Sequence, residues 1–177
     1  LIEKLISFPT VSRDSNLELI DFVQKFLDSH HVESKIIHSD CGNKANLLAT
    51  IGPNETGGVV LSGHTDVVPI DGQDWHTDPF CVTEHSGRLH GRGTSDMKSF
   101  CAIALSLIPE MKSLKKPIHL AFSYDEEVGC LGTPGLIKLI QETVPLPLGV
   151  IVGEPTGMRV VTAHKGIAHF VTTVNGY

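Results

Sequence analysis

The sequence predicts an α/β fold, with a mixed, mainly parallel sheet flanked by helices, on three observations. Apolar runs of strand length at 59–66, 117–124 and 148–152 read as buried strands. Segments with apolar residues at helical spacing alternate with them, and turn residues rich in Gly, Pro, Asn and Ser separate the two kinds. Each strand-like run also ends at a histidine or an acid, a pattern that carries the functional reading.

The elements are taken in chain order. Residues 1–8 have helical apolar spacing and are stopped at Pro9. Ser15 followed by Glu18 matches a capping box, and Leu19, Ile20, Phe22, Val23, Phe26 and Leu27 recur behind it, so a helix over about 16–29 should pack on the sheet. His30 and His31 at its end complement the helix dipole. Strands are expected at 34–39 and 46–51, with turn residues at 52–58 before the central strand. The irregular stretch 67–87, with Trp75, His76, Asp78, Pro79 and Phe80, reads equally as a wall of the site or as a surface meander. A glycine-bearing turn, Gly91 to Asp96, leads into a helix whose buried face is Met97, Phe100, Cys101, Ala104, Leu105 and Ile108. Asp96 by itself reads most simply as the cap of that helix. Residues 129–135 read as a loop and 136–142 as a short helix. The segments 159–163 and 167–174 read as two strands joined through His164, Lys165 and Gly166, and a hairpin there is the reason to expect a mixed sheet.

Composition bounds the function. The 177 residues suffice for one sizeable core, and 41% hydrophobic with 19% charged residues is ordinary for a globular chain. A net charge of -6 argues against the basic face of a nucleic-acid binder. No apolar run reaches the ~18 residues of a membrane span, and no signal-peptide pattern opens the chain. The four cysteines, Cys41, Cys81, Cys101 and Cys130, form no C-x-x-C pair; they read as free thiols of a cytoplasmic protein and exclude a zinc finger. A start at Leu1 and an end straight after a strand-like run are expected of a fragment.

Ligands of an open α/β sheet sit outside the carboxyl ends of its strands, so the terminal residues of three such runs should share one cleft. They are His64, Asp66, Glu126, Glu127 and Glu154, joined by Asp96. In extended chain His64 and Asp66 point to the same side, the arrangement of a metal histidine and the carboxylate that fixes its tautomer. Imidazole with carboxylates and without thiolate suits catalytic zinc, cobalt or manganese. Four or more acids in one cleft repel unless cations compensate them, and two divalent ions would do so. The bland reading of Glu126 and Glu127, a solvated acidic pair, is weakened by the buried strand before them. The glycine turn lacks the third glycine of a dinucleotide fingerprint and the lysine spacing of a P-loop.

Together, His64-Thr65-Asp66, the run from Gly91 to Lys98, Asp125-Glu126-Glu127 and Gly153-Glu154-Pro155 resemble the co-catalytic zinc amidohydrolases of the aminoacylase and glutamate carboxypeptidase group. The resemblance implies a zinc aminopeptidase-like catalytic domain, of which 1–177 is the N-terminal part, without the lid or dimerisation domain and the C-terminal part. It implies metal ligation by His64, Asp96, Glu127 and Glu154, with Asp96 bridging two ions, most simply Zn2+ with Co2+ as the alternative. Asp66, orienting His64, and Glu126, the general base, are then the catalytic acids, and a cis peptide follows Asp96. The last ligand of the second metal would be a distant histidine. His76, His85, His90, His119 and His169 read as surface or core residues, so this fragment should turn over little. Substrates of the group are small N-acyl amino acids or peptides, and the full-length protein would be a homodimer. Asp125 to Cys130 and Ala163 to Gly166 are most like the members that deacetylate N-acetylornithine. Succinyl-diaminopimelate desuccinylases, dipeptidases and aminoacylases of the group are the alternatives, and a non-catalytic binding or dimerisation module is the alternative from another class.

Overall fold

The computed structural model describes residues 1–163, 165, 166, 168 and 170–176. Its centre is a five-stranded sheet built from β1 (Ser34–His38), β2 (Ala45–Ile51), β3 (Val59–His64), β6 (Ile118–Ser123) and β7 (Gly149–Val152) in the order β1-β2-β6-β3-β7. A separate hairpin pairs β4 (Thr83–His85) with β5 (Arg88–His90). The helices are α1 (Ile2–Ile6), α2 (Leu17–Ser29), α3 (Lys98–Ser106) and α4 (Thr133–Thr143), with a 3-10 turn at Ile108–Glu110. Among the described residues no helix is long and apolar enough to cross a membrane.

The sheet is mixed for a different reason from the expected hairpin. β3 runs parallel to both β6 and β7, whereas β2 is antiparallel to β1 and β6, so β2 alone runs against the rest. Residues 159–163 carry no strand. Residues 164, 167 and 169 lie outside those described, and the described remainder of 167–174 forms no strand.

Side chains alternate across a strand, and the two faces fill separately. Leu47, Ala49, Ile51, Leu120 and Phe122 meet Leu19, Val23 and Leu27 of α2 and Cys101 and Leu105 of α3 on one face. Leu48, Val60 and Ala121 meet Leu136 of α4 on the other. Among the described residues β7 stands at the edge of the sheet, and Val150, Ile151 and Val152 are each more than half exposed there.

Helix starts also differ from the sequence reading. The cap position of α2 is Asn16, and its amide does not cap the helix. It spans to the sheet: Oδ1 accepts from the Ala45 N–H at 2.9 Å, and Nδ2 donates to the Ala45 carbonyl at 2.8 Å and to the Thr65 hydroxyl at 2.9 Å. Ser15 Oγ accepts the Leu17 N–H instead of completing a capping box. α4 begins at Thr133 with Pro134 in its first turn, three residues earlier than expected, because proline is well tolerated there.

Two glycines bring α3 against the strand ends. A Cβ on Gly63 would lie 2.7 Å from Cys101 Sγ, and one on Gly153 would lie 2.1 Å from the Phe100 ring. Only hydrogen fits at either position, and that closeness sets how near Asp96, just before α3, comes to the ends of β3 and β7.

Candidate metal centre

β3, β6 and β7 end level with one another. His64 is in register with Ser123, Ser62 with Val152, and the Gly153 N–H donates to the Ser62 carbonyl at 3.1 Å. The residues just past each strand therefore emerge along one edge. His64 is buried there, with Nδ1 2.9 Å from the main-chain carbonyl of Asp66. A carbonyl only accepts, so Nδ1 carries a proton and Nε2 is turned outward. Nε2 stands 3.0 Å from Asp96 Oδ1, 3.5 Å from Glu154 Oε1 and 3.9 Å from Glu126 Oε2.

An imidazole lone pair facing three carboxylates is repulsive, so Nε2 needs either a second proton or a cation. Burial lowers the basicity of His64, but Asp66, Glu154 and Glu126 outweigh it and the net shift is upward. The acids are perturbed in the sense that like charges dictate. Burial, then Asp96, pushes Glu127 up to about 6, and the same two causes in the same order raise Glu154. Two sets of ligand atoms lie within 4.8 Å of one another: His64, Glu126 and Glu154 in one, His64, Asp96 and Glu127 in the other. This donor set of one imidazole and oxygen atoms fits a divalent metal ion, which would relieve both the acid repulsion and the demand at Nε2.

Two local readings are corrected by the geometry. Asp96 does not cap α3, whose cap position is Met97; its carboxylate faces His64, and the Asp96-Met97 peptide is cis. Asp66 contacts His64 through its main-chain oxygen, while its carboxylate Oδ1 lies 3.7 Å from Nδ1. That carboxylate instead holds the turn after β6, accepting the Glu126 N–H at 3.0 Å, the Glu127 N–H at 3.3 Å and the Ser12 hydroxyl at 2.6 Å. A residue placed by alternation beside an imidazole has in fact become the anchor of two distant acids.

Sequence reasoning missed Ser12 and Lys44 and gave Asp125 no role of its own. Lys44 Nζ reaches Asp125 Oδ1 at 2.6 Å and also the Ser12 carbonyl, and both charged side chains are largely buried. Lys98, just beyond Asp96, is also buried; it donates to the Phe8 carbonyl at 2.7 Å, and burial lowers its pKa to about 7. Nothing in local periodicity marks these pairs, because their partners come from other segments.

The mouth has two parts. A cavity of about 460 Å³ is lined by His64, Met97, Ser123, Glu126, Cys130 and Glu154, a size that suits a small substrate. A smaller hollow of about 160 Å³ is lined by Asp96, Glu127, Arg92 and Val68, so the 67–87 stretch reaches the site through Val68 at its start. Farther along, Trp75 lies under the Arg92 guanidinium at 5.1 Å and Gln73 accepts from Arg92, bracing the stretch against the glycine turn. His76, His85 and His90 are exposed, the latter two in the β4–β5 hairpin, and none belongs to a ligand set; His119 is buried within the sheet, and His169 lies outside the described residues.

Comparison with known proteins shows the family of the chain. Residues 60–169 match the family described as Peptidase family M20/M25/M40. The acetylornithine deacetylase of Buchnera aphidicola subsp. Schizaphis graminum is 36% identical over 184 residues, covering 99% of this chain and 47% of the relative. That of Shigella sonnei is 45% identical over 127 residues, covering 70% of this chain and 32% of the relative. The chain thus spans about half, or less, of the length of these relatives. Among solved structures, the M20 family metallo-carboxypeptidase Sso-CP2 from Sulfolobus solfataricus superposes with a TM-score of 0.69 at 21% identity, over 86% of this chain and 36% of that one.

Proposed function

The chain belongs to peptidase family M20/M25/M40, and from that premise we propose that the intact protein is a metal-dependent amidohydrolase that removes the acetyl group of N-acetylornithine. The family and the site's donor set support metal dependence, and the acetylornithine deacetylases similar to the chain support the substrate. The observation that carries the reading is the outward Nε2 of His64 ringed by Asp96, Glu126 and Glu154.

In this reading His64, Asp96, Glu127 and Glu154 would hold two divalent ions, most simply zinc, with His64 and Glu154 at the first, Glu127 at the second and Asp96 shared. Bound divalent ions supply polarisation of the amide carbonyl and acidification of a water molecule. Glu126, at the edge of the larger cavity and 3.9 Å from Nε2, takes the water's proton and delivers it to the departing ornithine amine. Asp66 keeps the His64 tautomer through its carbonyl and Glu126 in place through its carboxylate. The 177 residues form the N-terminal part of the catalytic domain, and a homodimer in the cytoplasm is the proposed setting. Because they span about half the length of the relatives they match, these residues alone are expected to hydrolyse little.

The test is the full-length protein loaded with Zn2+ and assayed on N-acetylornithine and N-succinyl-diaminopimelate. A higher kcat/KM on the first is expected. Preference for the second would reassign the acyl group, and no hydrolysis of either, nor of dipeptides, would favour a binding module.

A further inference from the structure

We propose that Ser12, Lys44 and Asp125 are positioning residues of the metal centre, forming with Asp66 a closed circuit that holds the turn bearing Glu126 and Glu127. The inference rests on the reading of that centre given above and extends it to groups that touch no ligand position with their side chains.

The circuit joins four separate segments. Ser12 lies beyond α1, Lys44 precedes β2, Asp66 lies beyond β3 and Asp125 beyond β6. Lys44 Nζ donates to Asp125 Oδ1 at 2.6 Å and to the Ser12 carbonyl. The Ser12 hydroxyl donates to Asp66 Oδ2 at 2.6 Å, and the two Asp66 oxygens receive the main-chain N–H groups of Glu126 and Glu127. Ser12 is itself fixed to the segment just beyond β3, since its N–H donates to the Val67 carbonyl at 3.1 Å and the Val67 N–H donates to the Thr10 carbonyl at 3.0 Å.

The turn needs such support for two reasons. Asp125 has φ 56°, in the left-handed region that L residues enter at a cost and that Asp tolerates better than most. The two acids after it are pressed toward Asp96 and Glu154 against like-charge repulsion, which would open the turn if its backbone were free. The Lys44 and Asp125 side chains are only 12% and 11% exposed, so their attraction is poorly screened. Charge-assisted bonds on one side and a carboxylate spanning two adjacent N–H groups on the other leave Glu126 and Glu127 little freedom.

The experiment uses the full-length protein, stripped of metal and titrated with Zn2+ in competition with a chelating dye, beside kcat and KM on the preferred amide. Lys44→Met and Asp125→Asn are each expected to weaken one zinc equivalent about 10- to 100-fold and to lower kcat by a similar factor, with KM within about twofold. Lys44→Arg, which keeps the cation, should recover most of both losses. A brace of the fold alone would lower the thermal midpoint of the zinc-free protein and leave zinc affinity at 25 °C unchanged, an outcome that overturns the proposal. Should Lys44→Met fail to fold, Ser12→Ala, which removes one hydroxyl, decides by the same two readings. A wild-type protein that takes up no zinc would overturn the metal centre itself, whereas normal zinc uptake with indifferent variants would overturn only the positioning role.

Discussion

Two buried histidines on neighbouring strands meet opposite fates. His64 closes β3 at the carboxyl edge, where burial works to lower its pKa and Asp66, Glu154 and Glu126 prevail in raising it. His119 sits near the start of β6, paired in register with Val60, and burial lowers its pKa. Its Nδ1 meets the Thr50 hydroxyl at 2.9 Å, and its Nε2 has no hydrogen-bond partner among the described residues. Both side chains belong to one residue type and both are buried; the end of the strand makes the difference. At the carboxyl ends the chain leaves the sheet into turns that carry acids, while the interior of a strand offers only its lateral neighbours.

The largest effect that could break this contrast is on turnover. Glu126→Gln in the full-length protein should retain zinc uptake and lose about 10²- to 10⁴-fold in kcat, the range for removal of a general base. His119→Gln should leave kcat within about twofold, since it lies outside the site. Equal losses from both, measured in one steady-state assay, would mean that strand position does not separate the two regions.

A smaller effect tests how the carboxyl edge is assembled. Gly63→Ala forces a Cβ against Cys101 Sγ, and overpacking of this kind costs about 1–3 kcal/mol, read from urea unfolding. Because the clash pushes α3 outward, zinc affinity should fall with it. Retained zinc affinity despite lost stability would show that Asp96 is placed by its own turn and not by the packing of α3.

The smallest effect concerns the other histidine. A folded-state pKa below the unfolded value of about 6.5 means that the unfolded chain takes up the proton first, so stability is full above that pH and declines as pH falls toward the folded pKa. Relative to the wild type, His119→Gln should therefore lose less urea stability as pH falls below about 6.5. An identical decline in the variant would assign the acid sensitivity to other groups.

Much of the site was legible in the chain because its residues sit where strands end. The runs before His64, Glu126 and Glu154 are recognisable as strands, and their common direction delivers the next residues of each to one edge. Which atom of Asp66 does which task could not be read. Alternation places its side chain on the His64 side, but whether it contacts the ring or two N–H groups of another turn depends on where β6 ends relative to β3. Ser15 and Asn16 fail similarly: a local capping signal was present, yet the sheet offered Asn16 three hydrogen bonds that no local pattern records.

By itself the sequence determined most of the elements and the residues at their ends, since hydrophobic period and turn chemistry act over a few neighbouring positions. Only the tertiary structure decided that β2 opposes its neighbours and that Lys44 closes on Asp125 across 81 positions of chain. Those outcomes rest on register and on contacts between remote segments, whose free energy arises only when the segments are already together.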